Sequence, residues 1–461
     1  MQRNEYIILG AGESGVGAAI LAQQQGLPVF VSDSGQIKPQ YKAELEQYTI
    51  PYEEGGHTFS RILSAREVIK SPGIPDSAPL IRQLTEQQTP IISEIEFAYR
   101  YAGDSVMIAI TGSNGKTTTT NWLYHTLHNA GLDVSMAGNV GTSLARQVAL
   151  APHAYYVIEL SSFQLDHMYQ FRAHIAILLN ITPDHLDRYD HQMELYARAK
   201  MRITQNQEPT DYFISWIEDD WTQRLLKEPG MGAGRRIFFS TEASSDDAVM
   251  ASSHNGQIRF ALQEPVLELP ESALALSGKH NVQNALAVGC AAQALGVKPE
   301  VIQASLENFT NVPHRLEYIA SIDGVDYIND SKATNINSTW YALESMRKPT
   351  ILILGGTDKG NDYNDLMDLV KEKVVGLIYL TTDSAKLHRS FDSVIPRHEE
   401  VTSMRDAIAT ARQMAKSGDT VLLSPACASF DLFTCYEDRG DQFRAEVLAI
   451  AQQQRDTDKS L

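Results

Sequence analysis

Cysteine is scarce: Cys290, Cys427 and Cys435 are the only three in 461 residues, and no C-x-x-C pair exists. An odd count without pairing argues against a disulfide framework or a zinc site and points to a reducing, cytoplasmic compartment. Long apolar runs are missing, and none approaches the ~20 residues of a membrane span. Met1 to Asn4 lead straight into a strand-like run, Tyr6–Leu9, without the basic start and apolar stretch of an export signal. Basic tracks are missing as well. The net charge is −18, which makes a surface that repels nucleic acid. Anionic substrates would therefore need positive charge gathered locally, in pockets. There is no repeat at a solenoid period and no low-complexity tract.

What remains is the composition of a globular enzyme, 43% apolar and 21% charged. The length suits about two to four domains. Short β-branched runs alternate with helical stretches, which predicts parallel sheets covered by helices on both faces. Buried strands are expected at Tyr6–Leu9, Val29–Ser32, Val106–Ile110, Tyr155–Leu160, Ile175–Asn180, Thr350–Leu354, Val375–Leu380 and Thr420–Leu423. Boundaries are expected near Ser93 and near Asn311-Val312-Pro313. The expected fold is α/β, with three doubly wound domains of mostly parallel sheets at residues 1–93, 94–311 and 312–461. The stretch from Gly230 to Pro270 reads as an irregular embellishment of the middle domain.

Two glycine loops carry chemistry. Gly10-Ala11-Gly12-Glu13-Ser14-Gly15 follows the first strand, and Asp33 ends the second. This G-x-G-x-x-G fits a nucleotide diphosphate at a helix N-terminus, NAD, or a tight turn with no ligand. About 90 residues precede the second loop, tight for a full dinucleotide fold. Glu13 would have to point away from any phosphate. The second loop, Thr111-Gly112-Ser113-Asn114-Gly115-Lys116-Thr117-Thr118, lies between a strand and a helix. Its amides can cradle phosphate, Lys116 can reach the outer phosphates of ATP, and the Thr117 hydroxyl can hold Mg2+. Ile110 stands where the usual pattern has its first glycine.

Further candidates fall at strand ends, where doubly wound sheets place their sites. Asn139 lies in Gly138-Asn139-Val140-Gly141, Glu159 and Ser161 in Glu159-Leu160-Ser161-Ser162-Phe163-Gln164, and His185 in Asn180 to Arg188. A carboxylate and an imidazole there could hold Mg2+, or be a strand-end charge and a turn residue. Lys200, in a helix expected over Gln192–Arg202, reads by composition as a surface lysine.

In this order, TGSNGKTTT, GNVG, ELSSFQL, NITPDHLDRY, YARAKMR and GKHNVQNALA resemble the Mur ligases of peptidoglycan synthesis over nearly the whole chain. NDSKATN, GGTDKG and SPACASFD resemble the members that add D-glutamate, and the Asp-Asn-Pro-Arg run of the diaminopimelate-adding relatives is absent. The resemblance implies ligation of D-glutamate to UDP-N-acetylmuramoyl-L-alanine through an acyl phosphate, by a monomer without nucleic-acid or membrane partners. It implies ATP held by Gly112, Asn114, Gly115, Lys116, Thr117 and Thr118, with Asn281 near adenine and Arg315 and Asp330 contributing. It places Mg2+ on Thr117 and Glu159, a second ion near His185, and a CO2-derived carbamate on Lys200. Lys116, His185 and Lys200 would be catalytic. Ser14, Gly15, Asp33, Asn139 and Ser161 would meet the UDP-linked substrate, although Gly35 stands where a basic or bulky residue is expected and Lys38 could serve instead. D-glutamate would meet Lys332, Thr334, Lys359, Ser429, Phe430 and Tyr436. A folylpolyglutamate synthetase has a similar loop but no need of the first domain. A silent nucleotide-binding scaffold would not need Lys116, Glu159, His185, Lys200 and Lys332 together.

Overall fold

The computed structural model describes residues 5–139, 141–184, 186–242, 248–310, 313–358 and 360–458. They form two compact units, Met1–Ala275 with Asn281–Phe309, and Leu276–His280 with Thr310–Leu461. His185, Lys359 and the expected boundary residues Asn311 and Val312 lie outside the described residues.

The first unit holds two sheets. In the first sheet, β1 (Tyr6–Leu9), β2 (Val29–Ser32), β3 (Tyr52–Glu53), β4 (Glu67–Lys70) and β5 (Ile91–Ile92) lie in the order β3-β2-β1-β4-β5, all parallel. Five strands rather than six answer the shortness of the segment. The second sheet contains β6 (Val106–Thr111), β7 (Val134–Gly138), β8 (Tyr155–Glu159), β9 (Ile175–Leu178), β10 (Tyr212–Trp216), β11 (Arg235–Ser240), β12 (Val249–His254), β13 (Gln257–Phe260) and β14 (Leu267–Pro270). Its order is β14-β13-β12-β11-β10-β9-β6-β8-β7, so β6 is flanked by β9 and β8. The stretch from Gly230 to Pro270 is thus not irregular: it supplies four strands, of which β13 pairs antiparallel with both neighbours. Alternation explains why the last of these strands escape a search for buried runs. In β13 and β14 every second side chain is exposed, as expected of a sheet margin solvated on one face.

One apolar cluster runs through both sheets, from Ile8 and Val31 to Ile158 and Leu178. The short helix Glu94–Tyr99 bolts them together. Ser93 Oγ caps it by accepting the Glu96 amide (3.1 Å). Glu96, fully buried, accepts the backbone N–H groups of Tyr169 and Phe171, each at 3.0 Å, and of Gln170. Glu94 Oε1 accepts from Ser143 Oγ (2.7 Å) and the Ala145 amide (2.6 Å), at the start of the helix Leu144–Leu150. Arg100, just beyond, pairs with Glu67 of β4 (2.7 Å). These backbone donors would otherwise be orphaned in the interior, so each carboxylate answers an unmet need.

The second unit contains β15 (Glu317–Ile322), β16 (Val325–Asn329), β17 (Thr350–Leu354), β18 (Val374–Leu380), β19 (His398–Val401) and β20 (Thr420–Leu423), ordered β15-β16-β20-β17-β18-β19. Only β15 runs antiparallel. Apolar clusters cover both faces, one around Ile353, Ile378, Leu423 and Phe443, the other around Leu352, Leu354, Tyr379 and Leu422. No helix among the described residues is long and apolar enough to cross a membrane.

Burial pushes the Glu94 carboxyl up to about 7, with the Glu13 charge adding to the rise. Between its ordinary value and about 7 the unfolded chain releases a proton that the folded chain retains, so stability falls as pH rises through that window. The contribution is on the order of 3 kcal/mol. Glu94→Gln keeps an acceptor for Ser143 and Ala145, and should flatten the decline of the urea midpoint between about pH 5 and about pH 7.

Candidate functional site

The phosphate loop follows the central strand β6. Gly115 has φ +85° and caps the helix Lys116–Asn129; a Cβ there would stand 2.4 Å from Asn284 Oδ1. Only glycine permits both the backbone conformation and that approach. The loop is held from below. Asn180, just past β9, accepts the Asn114 amide on Oδ1 (2.9 Å) and the Ser113 amide on its carbonyl (2.9 Å). Ser113 Oγ donates to Thr182 O (2.8 Å) and lies 3.1 Å from the Tyr196 hydroxyl. Asn284 accepts from Thr119 Oγ1 (3.1 Å) and donates to Asn281 Oδ1 (3.2 Å), which places Asn281 behind the loop's helix. Asn180, Tyr196 and Asn284 lie within the quoted motifs but were given no role there; asparagine and tyrosine near a loop carry no distinctive signal of their own.

Lys116 Nζ folds over the loop and donates to Gly112 O (2.7 Å) and Ser113 O (2.8 Å). Lys200 donates to the same Gly112 O at 2.8 Å and is only 2% exposed. Its nitrogen lies 4.6 Å over the Tyr196 ring. Composition makes it a surface lysine; the structure buries it. Burial first, then the neighbouring Lys116 ammonium, hold its pKa well below the usual 10.5, although Asp184, Asp166 and Glu159 pull the other way.

Glu159 ends β8 directly opposite Ile110 of β6. Oε1 accepts from Asn139 Nδ2 (2.8 Å), while the buried Oε2 has no hydrogen-bond partner among the described residues. An orphaned buried carboxylate oxygen is costly unless something fills its lone pairs. Together with the buried Thr117 hydroxyl on the loop's helix, it offers the hard oxygen donors that Mg2+ prefers. The residues present therefore fit the ion. Ser161 caps the next helix through a capping box with Gln164.

In the first sheet Glu13 does turn away from its loop. Its carboxylate accepts from Arg146 Nε (2.9 Å) and the Ser143 amide (3.1 Å) of the second sheet's layer. Asp33 braces the loop, accepting from the Ala11 amide (2.7 Å) and the Gly35 amide (2.8 Å). Ser14 sits half-buried in the first helical turn, while Gly15 is a packing position: a Cβ would lie 1.9 Å from Gly10 O. Lys38 is exposed.

In the second unit the remaining residues gather at the C-terminal ends of three adjacent strands. Asp330, Lys332 and Thr334 follow β16, and Ser429 and Phe430 follow the adjacent central strand β20, with the loop after β17 on its far side. Asp330 is buried, which raises its carboxyl to about 7 against the nearby Arg315; it accepts from Ser424 Oγ (2.9 Å) and the Leu316 amide (3.2 Å). Lys332 Nζ stands 5.3 Å over the Tyr436 ring. Ser429 is buried and Phe430 is 71% exposed. Arg439 was missed. It is 1% exposed and donates to Ser331 O (2.8 Å), Ser331 Oγ (2.9 Å) and Cys427 O (3.2 Å), stitching the loop after β16 to the loop after β20.

Glu159→Gln preserves the acceptor for Asn139 and removes the anionic oxygen. It should weaken Mg2+ binding in the presence of nucleotide by about tenfold or more, measured by calorimetric titration.

Three family models match the chain: the Mur ligase MurD-like N-terminal domain at residues 4–93, the Mur ligase middle domain at 110–292, and the Mur ligase glutamate ligase domain at 314–427. The UDP-N-acetylmuramoylalanine–D-glutamate ligase of Porphyromonas gingivalis W83 is 62% identical over 98% of this chain and 100% of its own. The ligase of the same name from Bacteroides fragilis NCTC 9343 is 54% identical over 96% of this chain and 98% of its own. Among solved structures, the UDP-N-acetylmuramate-alanine ligase MurC of Thermotoga maritima shares the fold at 18% identity and a TM-score of 0.62, covering 96% of this chain and 99% of its own. With all three sheets matched and the phosphate loop intact, the chain belongs to the Mur ligase family.

Proposed function

We propose that the enzyme joins D-glutamate to UDP-N-acetylmuramoyl-L-alanine, with ATP as co-substrate, in the synthesis of peptidoglycan precursors. The observation that carries this reading is the 62% identity to a ligase of that name along 98% of the chain. The site geometry supports it. Joining a carboxylate to an amine requires an activated acid. The γ-phosphoryl group of ATP passes to the L-alanyl carboxylate, giving an acyl phosphate and ADP. The D-glutamate amine attacks the acyl carbon, the C–N bond forms, and phosphate departs as the amine sheds a proton.

Residues 1–93 would hold the uridine diphosphate part at Ser14, Gly15 and Asp33, and residues 94–311 ATP at Gly112 to Thr118 with Asn281. Residues 312–461 would supply Arg315 and Asp330 to the nucleotide and Lys332, Thr334, Lys359, Ser429, Phe430 and Tyr436 to D-glutamate. Two lysines suit a substrate with two carboxylates in a chain of net charge −18. Asn139 and Ser161 would meet the muramoyl group. Thr117 and Glu159 would hold Mg2+, with a second ion near His185; when bound, the metal neutralises charge on phosphoryl oxygens. Lys116 steers the outer phosphates, and removing such a preorganised contact commonly costs about 100-fold in rate.

Lys200 would carry a carbamate. Its lowered pKa favours the neutral amine, the form that adds to CO2. The neutral nitrogen forms a bond to the carbon, a C=O π pair moves onto oxygen, and the nitrogen loses a proton to solvent, so that a buried amine becomes an anion able to orient the metal. The enzyme would act as a cytoplasmic monomer.

Phosphate release from ATP and Mg2+ with UDP-N-acetylmuramoyl-L-alanine should require D-glutamate and ignore L-glutamate. Release that accepts L-glutamate or another amino acid would remove the D-glutamate assignment. Lys200→Ala should lose about 100-fold or more of the rate and recover part of it with added short-chain carboxylic acids; full activity without them would refute the carbamate.

A further inference from the structure

The second unit contains a cluster of side chains with no part in the ligation. His388 lies on the helix Ala385–Phe391, Asp392 follows it at i+4, and His398 stands on the edge strand β19. One ligand atom from each lies within 4.8 Å of the others. All three are half-buried, open to solvent on one side. We propose that His388, Asp392 and His398 form a surface site for Zn2+, with the fourth position left to water.

The two imidazoles are arranged as metal-ligating histidines are, and the same contacts also pair His388 with Asp392 and Glu400, so that a metal would compete with a proton there. His388 Nδ1 lies 2.8 Å from Asp392 Oδ2, while its Nε2 is hydrogen-bonded to Glu400 on the same edge strand. Glu400 is itself anchored, accepting from Ser384 Oγ at 2.7 Å. His398 Nε2 lies 3.5 Å from Asp392 Oδ1, while its Nδ1 faces Ile395 O at 3.3 Å. Each ring thus has one nitrogen fixed by an outer acceptor and the other turned toward the same carboxylate. That is how ligating histidines are held: the outer acceptor sets the tautomer and aims the lone pair. Tyr379 forms a floor for both. Its ring stacks on His398 (centroids 5.6 Å, 19°), meets His388 edge-on (4.9 Å), and its hydroxyl donates to Asp392 Oδ1 (3.1 Å).

The donor set selects the ion. Two imidazole nitrogens and one carboxylate suit Zn2+, whereas Mg2+ and Ca2+ prefer oxygen alone. Tetrahedral zinc with bonds of about 2.0–2.1 Å needs ligand atoms roughly 3.3 Å apart, so small rotamer shifts suffice. The scarcity of cysteine bears only on thiolate sites, and this one uses none. A bound ion would staple the helix Ala385–Phe391 to β19.

The test is to titrate chelator-treated full-length enzyme with Zn2+ alone, and separately with Co2+, beside the His388→Ala/His398→Ala double variant and Asp392→Asn. The wild type should bind one more Zn2+ per chain than the double variant and show the intense visible absorption of four-coordinate Co2+. Asp392→Asn, which changes no volume, should lose at least tenfold in affinity, and Glu400→Gln about 10- to 100-fold. Equal uptake and equal affinity in wild type and double variant would overturn the proposal, as would a Co2+ spectrum of six-coordinate type in both. The comparison between variants removes any contribution from Glu159 and Thr117, which all of them retain.

Discussion

Two lysine nitrogens, Lys116 and Lys200, meet at one backbone oxygen, that of Gly112. Two full positive charges at such a separation repel by about 3–4 kcal/mol even at an effective dielectric constant of 20. Lys116 is half-buried at the loop, whereas Lys200 is sealed inside, where burial and the neighbouring Lys116 charge lower its pKa. Much of the surrounding arrangement follows from that inequality. Asn180 and Ser113 fix where the Gly112 carbonyl points, Tyr196 supplies an aromatic face beneath Lys200, and Glu159 supplies an anion that is only half satisfied. The site is a set of mutual demands, each of which a bound phosphate, metal or carbamate could answer.

A second set of carboxylates does the opposite work. Glu94 and Glu96 are as buried as Glu159, yet both are supplied with donors from the protein itself. Glu96 gathers three successive amides and Glu94 the start of a helix. Satisfied buried carboxylates hold architecture together; an unsatisfied one marks a place that expects a ligand. The same residue type serves both ends, and the count of donors distinguishes them.

Much of this was legible in the sequence because it rests on pattern. Apolar runs announce strands such as β6, β8, β9, β17 and β20, and glycine, lysine and threonine at fixed offsets announce the phosphate loop. Glu13 was legible as a conflict: a carboxylate in a loop fitted for anions must leave, and Arg146 shows where it goes. What depends on distant partners was not legible. Lys200 looks like any solvent lysine until Gly112, 88 positions away, is seen beside it. Arg439 spans 108 positions to Ser331. The strands β12 to β14 hid because a half-exposed margin alternates rather than running apolar, and a glycine- and serine-rich context disguises the alternation; β11, with Ile237 to Ser240 buried in a row, is a short run that was overlooked.

The helix Glu94–Tyr99 and the shared apolar cluster leave the first two sheets without a joint between them. Their two glycine loops are therefore the fixed jaws of a gauge. A molecule that touches both must have the right length before its chemistry is consulted. Selection by span would precede selection by functional group, and its tolerance would be set by the stiffness of a buried carboxylate network that reaches the first loop through Ser143 and Glu13.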